Sequence, residues 1–138
     1  MKDLRLVSYT IGELTEDLAV LRQYCDPYGY IEAILPGLWR DLTTNPLAEA
    51  DDIAVVLILF GDAVVGRLGM WASEVAVGGV HSRTYWLSGF ELHEDHRDSG
   101  GGGMMLLKAV SHSASLVAAG AIPPAVQKLY AATGFQEL

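Results

Sequence analysis

Apolar positions along the chain change period several times, and each change marks an element. Leu4-Arg5-Leu6-Val7-Ser8-Tyr9 reads as a short strand. Thr10, with Glu13 three residues on, has the spacing of a capping box, so a helix is predicted from there, and Ile11, Leu14, Leu18 and Leu21 continue on one face of it. Asp26-Pro27 reads as a second helix start. Ile31, Ile34, Leu35, Leu38 and Leu42 form its stripe and Asn45-Pro46 its end. The unbroken run Ile53 to Phe60, rich in branched residues, is what a strand buried on both faces requires. Gly61-Asp62 has glycine first, as a type II′ hairpin turn prefers, and Ala63 to Trp71 returns as the partner strand, with Gly66 and Gly69 marking a bulge or close packing. Gly78-Gly79 signals another turn, and Arg83 to Leu92 a third long strand. Met104 to Val110 is predicted helical, Ser115 to Ala118 a short strand, and Ala125 to Thr133 a last helix opened by Pro123-Pro124 and closed by Gly134.

Strand, two helices, antiparallel strands, helix, strand, helix is the order of an α/β or α+β domain with a mixed sheet. At 138 residues the chain is predicted to be a single domain, 1–138. With 51% apolar and 19% charged residues it is not a disordered tail. Its 17 acidic against 9 basic residues leave a net charge of −8, which repels phosphate backbones and anionic lipid, so neither nucleic acid nor membrane is an expected partner. Its longest apolar run falls well short of the ~20 residues of a membrane helix. The single Cys25 cannot form an internal disulfide, has no basic neighbour in sequence, and reads as a packed thiol of a cytoplasmic protein.

The stretch that bears chemistry is Phe90-Glu91-Leu92-His93-Glu94-Asp95-His96-Arg97-Asp98-Ser99-Gly100-Gly101-Gly102-Gly103-Met104. A strand passes through a polar turn into glycines and then into an amphipathic helix. Amides of a first helical turn lack intrahelical partners, the helix dipole adds positive charge there, and glycines let an anion approach the main chain. A mononucleotide loop would need Gly-Lys-Ser or Gly-Lys-Thr, and Gly103-Met104-Met105 fails that pattern. A dinucleotide fingerprint would need a glycine where Met105 stands. The His93 to His96 cluster lacks the helical spacing of a metal site, and no metal is expected.

Arg97, Gly100 and Gly102, after a strand and before a helix, resemble the acyl-CoA signature of the GNAT acetyltransferase superfamily. Leu129-Tyr130-Ala131-Ala132-Thr133-Gly134-Phe135 is similar to that family's downstream helix ending in Leu-Tyr, three residues, Gly-Phe. The resemblance implies a GNAT-like acyl-CoA N-acyltransferase fold running the length of the chain. It also implies an N-acetyltransferase moving an acetyl group from acetyl-CoA to a primary amine, on a small molecule or a protein, by direct attack. Gly100, Gly101, Gly102 and Gly103, with Asp98, Ser99 and Arg97, would hold the pyrophosphate. Phe90, Glu91 and Leu92 would pair with the pantetheine arm, Tyr130 would be the general acid and Glu91 the base. Tyr28 and Tyr30, with Tyr24 beside them around the turn between the first helices, would contact the acceptor, and Trp39, Trp71 and Trp86 would be core or acceptor-pocket walls.

Some positions depart from the family pattern. Glu94 stands where a proline is usual, Ser99 where a basic residue is, and Pro123 where an asparagine often precedes the last helix. Asp95 and Asp98 flank the loop, and the chain stops at Leu138 before the family's last strands. The expectation is a piece of a longer protein, or a sheet completed by another chain, as in a homodimer. Those departures also sustain an alternative, a catalytically degenerate domain of the same fold serving as a CoA-binding or assembly module. A third option is a regulator that binds another anion at the same helix start.

Overall fold

The computed structural model describes residues 4–112, 116–118, 128 and 130–132. Strand β1 (Leu4–Thr10) leads into helix α1 (Ile11–Glu16), where Thr10 and Glu13 make the reciprocal capping box that their spacing predicted. One continuous helix to Leu21 was the expectation; instead the chain breaks at Asp17 (φ −151°) and resumes as a 3-10 helix, Leu18–Gln23. The Asp17 carboxylate accepts the amide of Ala19, so a side chain that competes for backbone donors restarts the helix at its own position. Helix α2 (Tyr30–Thr44) likewise begins three residues beyond the predicted Pro27. Asp26 still caps it, its Oδ2 accepting from the amides of Ile31 and Glu32 across the intervening turn.

Strands β2 (Ile53–Phe60), β3 (Ala63–Val77) and β4 (Val80–Leu92) form an antiparallel meander with β1, and β5 (Leu116–Ala118) joins β4 in parallel, giving the order β1-β2-β3-β4-β5. This is a mixed α+β architecture, as the element order implied. β3 and β4 exceed their predicted lengths because the Gly78-Gly79 turn lets them pair out to Val77 and Val80. Seven of the eight residues of β2 are buried. Val55, Leu57 and Leu59 face one layer with Leu14, Leu21, Ile31 and Leu35. Val56 and Ile58 face the other, with Met105, Leu106 and Ala109 of helix α3 (Gly101–His112). At about 1.5–3 kcal/mol for each large apolar side chain removed from water, this two-sided strand anchors both layers.

For two tryptophans the structure removes the core half of the reading, core or acceptor-pocket wall. Trp39 is 56% and Trp86 41% exposed, so neither is a core residue. Trp39 lies at the border of the α2 stripe, and Trp86 stands opposite Trp71 on a sheet face that helices cover only in part. Among the described residues, no helix is long and apolar enough to cross a membrane, and no His, Cys, Asp or Glu group is placed to hold a metal. The predicted helix around Ala125 to Thr133 is described only at Lys128 and at 130–132, which are helical. Its Gly134 cap and the Leu129, Thr133 and Phe135 positions of the second motif lie outside the described residues.

Candidate active site

Strand β4 changes its surroundings part-way along. Its pairing with β5 ends at Leu87↔Ala118, so among the described residues Ser88 to Leu92 have no neighbour on that side. On the other side the register slips: Ser88 faces Gly69 and Glu91 faces Arg67, so β4 carries one residue more than β3 over this interval. Gly89, at φ +59°, takes up the slip. That conformation costs an L side chain about 1–2 kcal/mol, so glycine is the residue for the bulge. The bulge redirects the backbone where, among the described residues, β4 has no neighbour on its β5 side.

From Leu92 the chain enters a 3-10 turn, Glu94–Ser99, and then α3. Gly100 ends the turn at φ +82°, and its carbonyl accepts the first helical bond of α3, from Met104. Ser99 Oγ accepts the amide of Gly101 at 3.2 Å, which removes one of the four glycine amides from an anion site. Among the described residues, no hydrogen bond reaches the amides of Gly102 and Gly103, the second and third of the helix. Gly102 is buried and Gly103 half-buried, and both amides stand at the positive end of the dipole of a 12-residue helix. Gly101 has a different use, because a Cβ there would stand 2.6 Å from Ile58 Cδ1. Its bare backbone seats the helix on β2.

The other predicted residues fall into three places. Tyr130 is buried in the α3-side core, its ring 6.1 Å from that of Phe90 on β4. Burial raises its phenol above the ordinary value of 10. Glu91 is half-exposed and pairs at 3.6 Å with Arg67, over which the Tyr30 ring lies at 5.9 Å. Tyr30's phenol is also raised, first by burial and then by the charge of Glu91, against the opposing effect of Arg67 and Arg97. Arg97 folds back so that its Nε donates to the Leu92 carbonyl at 3.3 Å. Tyr28 stacks flat on His93, ring centroids 3.6 Å apart, and Tyr24 lies hydroxyl to hydroxyl with Tyr9 in the α2-side layer. Asp95 is held near His93 at 3.6 Å.

Between α2 and the sheet lies a pocket of about 250 Å³, lined by Ile34, Leu38 and Asp41 of the helix and by Arg67, Gly69, Trp71, Ser88 and Gly89 of the strands, among others. Neither Arg67 nor the Gly89 bulge was singled out from the sequence. A glycine isolated inside a strand pattern, and a lone arginine between Gly66 and Leu68, were the signals available.

No protein-family model matches the chain, and no curated protein matches it. Solved structures do. A GCN5-related N-acetyltransferase from Ralstonia eutropha JMP134 is 15% identical, with a TM-score of 0.62 over 99% of this chain and 94% of its own. The fold is that of the GCN5-related N-acetyltransferases. A second such protein, from Kribbella flavida, is 19% identical, with a TM-score of 0.57 over 96% of this chain; this chain spans 33% of its length. An aminoglycoside N-acetyltransferase in complex with CoA matches at 15% identity and a TM-score of 0.59, over 99% of this chain and 90% of its own.

Proposed function

We propose that this protein is an acetyl-CoA-dependent N-acetyltransferase acting on a primary amine. The observation that carries the reading is the stretch Ser88–Glu91 of β4, which has no neighbour on its β5 side among the described residues, leading through one short turn to the amides of Gly102 and Gly103, to which no described residue hydrogen-bonds. An extended arm with a diphosphate at one end matches that pair of features, and the CoA held by a neighbour of the same fold is such a molecule.

Acetyl-CoA supplies a thioester carbonyl open to an amine. In this reading the amides of Gly102 and Gly103 hold the diphosphate, and Ser99 and Gly100 shape the turn that presents them. Asp98 and Arg97 flank it. The main chain of Phe90, Glu91 and Leu92 pairs with the pantetheine arm, and amides at the bulge stand where a thioester oxygen gains charge. Glu91 takes a proton from the incoming ammonium, directly or through water, and Tyr130 holds at Oη the proton that the departing sulfur needs. Tyr30 bounds the acceptor side beside Glu91, and Tyr28 buttresses the turn through His93.

Calorimetry with acetyl-CoA tests the core of the proposal, and absence of binding at millimolar concentration overturns it. A sharper test is Gly103→Asp. A carboxylate in the first turn of α3 favours the helix dipole by about 0.3–1 kcal/mol, so the melting temperature should hold or rise. The same charge faces the diphosphate, so acetyl-CoA affinity should fall about tenfold or more. A variant that binds normally removes the helix start from the site. Glu91→Gln should lower kcat/KM about 10- to 100-fold at neutral pH. The deficit should shrink toward pH 9, because an amine of pKa ~10.4 then sheds its own proton more readily. A pH–rate profile identical to wild type would remove Glu91 as base. Binding with no turnover on any amine would favour the non-catalytic CoA-binding module, a reading to which the Ser99 bond that withdraws Gly101's amide lends some support.

A further inference from the structure

We propose that the pocket between α2 and the sheet takes an amine that also carries a carboxylate, in its simplest form an apolar α-amino acid, and that Arg67 is the group that selects it. The inference rests on the acetyltransferase reading above and extends it to the acceptor.

Arg67 lines the pocket, and its side chain is 18% exposed. A guanidinium has five N–H donors in a flat fork, and withdrawing that charge from water costs several kcal/mol unless the donors are met. Here they are not. Nε is buried without a hydrogen-bond partner. The facing carboxylate, Glu91, is half-exposed, and its Oε1 stands 3.6 Å from Nη2, beyond hydrogen-bond length. Nη1 lies toward Gly89, where a Cβ would come within 3.3 Å of it, so the bulge glycine keeps space open beside the fork. The Tyr30 ring at 5.9 Å adds a cation–π contact but accepts none of the N–H groups in their plane. An arginine with one donor buried and unmet, and a fork that its neighbouring carboxylate does not hydrogen-bond, is suited to a planar anion, and a carboxylate matches that fork in bidentate fashion.

The rest of the lining narrows the choice. Its charged residues are Arg67 and Asp41, one of each sign, as befits a zwitterion rather than a polycation or a diacid. Ile34, Leu38 and Trp71 supply an apolar wall for a short hydrocarbon body. The volume of about 250 Å³ lies below the ~300–1,000 Å³ range of drug-sized ligands, which suits an amino acid better than an oligosaccharide. Arg67 and Glu91 are cross-strand partners, so a carboxylate on Arg67 brings an α-amine next to Glu91 at the bare edge of β4. The step that follows forms an N–C bond to the acetyl carbon and breaks its C–S bond. The ammonium first gives one proton to Glu91. After attack the nitrogen loses its second proton to the Tyr130 phenolate left by protonation of the sulfur, and Glu91 returns its proton to water, giving an N-acetyl amino acid, free CoA and one proton.

The experiment pairs each acid with its decarboxylated twin: leucine with isoamylamine, and phenylalanine with phenethylamine. Wild-type protein, Arg67→Gln and Arg67→Lys are compared by turnover and by calorimetry with each compound alone. Wild type should bind the acids saturably and prefer them by about 100-fold in kcat/KM, the scale of one charged bidentate contact. Arg67→Gln should bring that ratio close to one, and Arg67→Lys, which keeps the charge without the fork, should fall between. Should Arg67→Gln fail to fold, as its melting curve would show, the Arg67→Lys ratio alone decides. Equal handling of acid and amine by wild type, or a preference that survives both substitutions, overturns the assignment. Binding of acetyl-CoA without binding of either acid overturns it while leaving the transferase reading intact. Binding of leucine that depends on Arg67, in a protein that ignores acetyl-CoA, sustains the carboxylate site and discards the transferase. A protein that binds neither discards both.

Discussion

Tyr130→Phe should lower kcat about 100- to 1,000-fold while leaving acetyl-CoA affinity unchanged, within the range usual for losing a general acid. The ring fills a buried place beside Phe90, so removing one oxygen preserves shape and packing. A free thiolate has a pKa near ~8.5 and leaves more readily if it is protonated as the C–S bond opens. Tyr130 keeps its proton across the neutral range, and burial, which raises the phenol, makes it a weaker acid whose donation relies on being placed at the sulfur. The check is single-turnover kinetics together with calorimetry. Unchanged turnover removes Tyr130 from the chemistry, and a parallel loss of cofactor affinity would make it a packing residue.

Asp52→Ala should destabilise the fold by about 3 kcal/mol and lower the melting temperature by roughly 10 °C. Asp52 is one of two buried polar or charged residues among those described, at 6% exposure. Its Oδ2 accepts from the Glu49 amide at 2.7 Å and from the Arg83 guanidinium, while Oδ1 accepts from the Tyr85 hydroxyl at 2.9 Å. Arg83 also donates to the Leu47 carbonyl. One carboxylate thus ties the loop after α2 to β4. Alanine would leave the Tyr85 hydroxyl and the Glu49 amide without acceptors, whereas the partly exposed Arg83 could rehydrate, which holds the cost below that of a fully buried pair. Asp52→Asn keeps one acceptor and should lose less. Thermal melts of both variants decide, and an unshifted transition for alanine would show that the network contributes nothing.

The sequence was most readable where a single period dominated. The run Ile53 to Phe60 announced a strand buried on both sides, and the α2 stripe and the Thr10 capping box were equally direct. Boundaries failed where a side chain rather than a period set them. Asp17 interrupts a helix whose apolar spacing continues to Leu21, and Asp26 caps α2 from outside the turn that precedes it. The strand–turn–helix frame of the site was legible for a similar reason, since glycines and helix starts are local signals. The acceptor side was not. Arg67 acquires its meaning from Glu91 across the sheet and Tyr30 on a separate helix, 24 and 37 positions away in sequence, and no local pattern encodes that meeting. The Ser99 hydroxyl that takes Gly101's amide belongs to the same class, a choice between donors that only the folded chain makes.

The contact between Gly101 and Ile58 bears on the thermodynamics of ligand capture. With the first turn of α3 resting on the floor of the core, the two unbonded amides are fixed before any anion arrives, so little conformational entropy is lost on association. Trimming the floor by Ile58→Val would give that turn slack, and a grip that had been rigid would have to be assembled anew with each encounter.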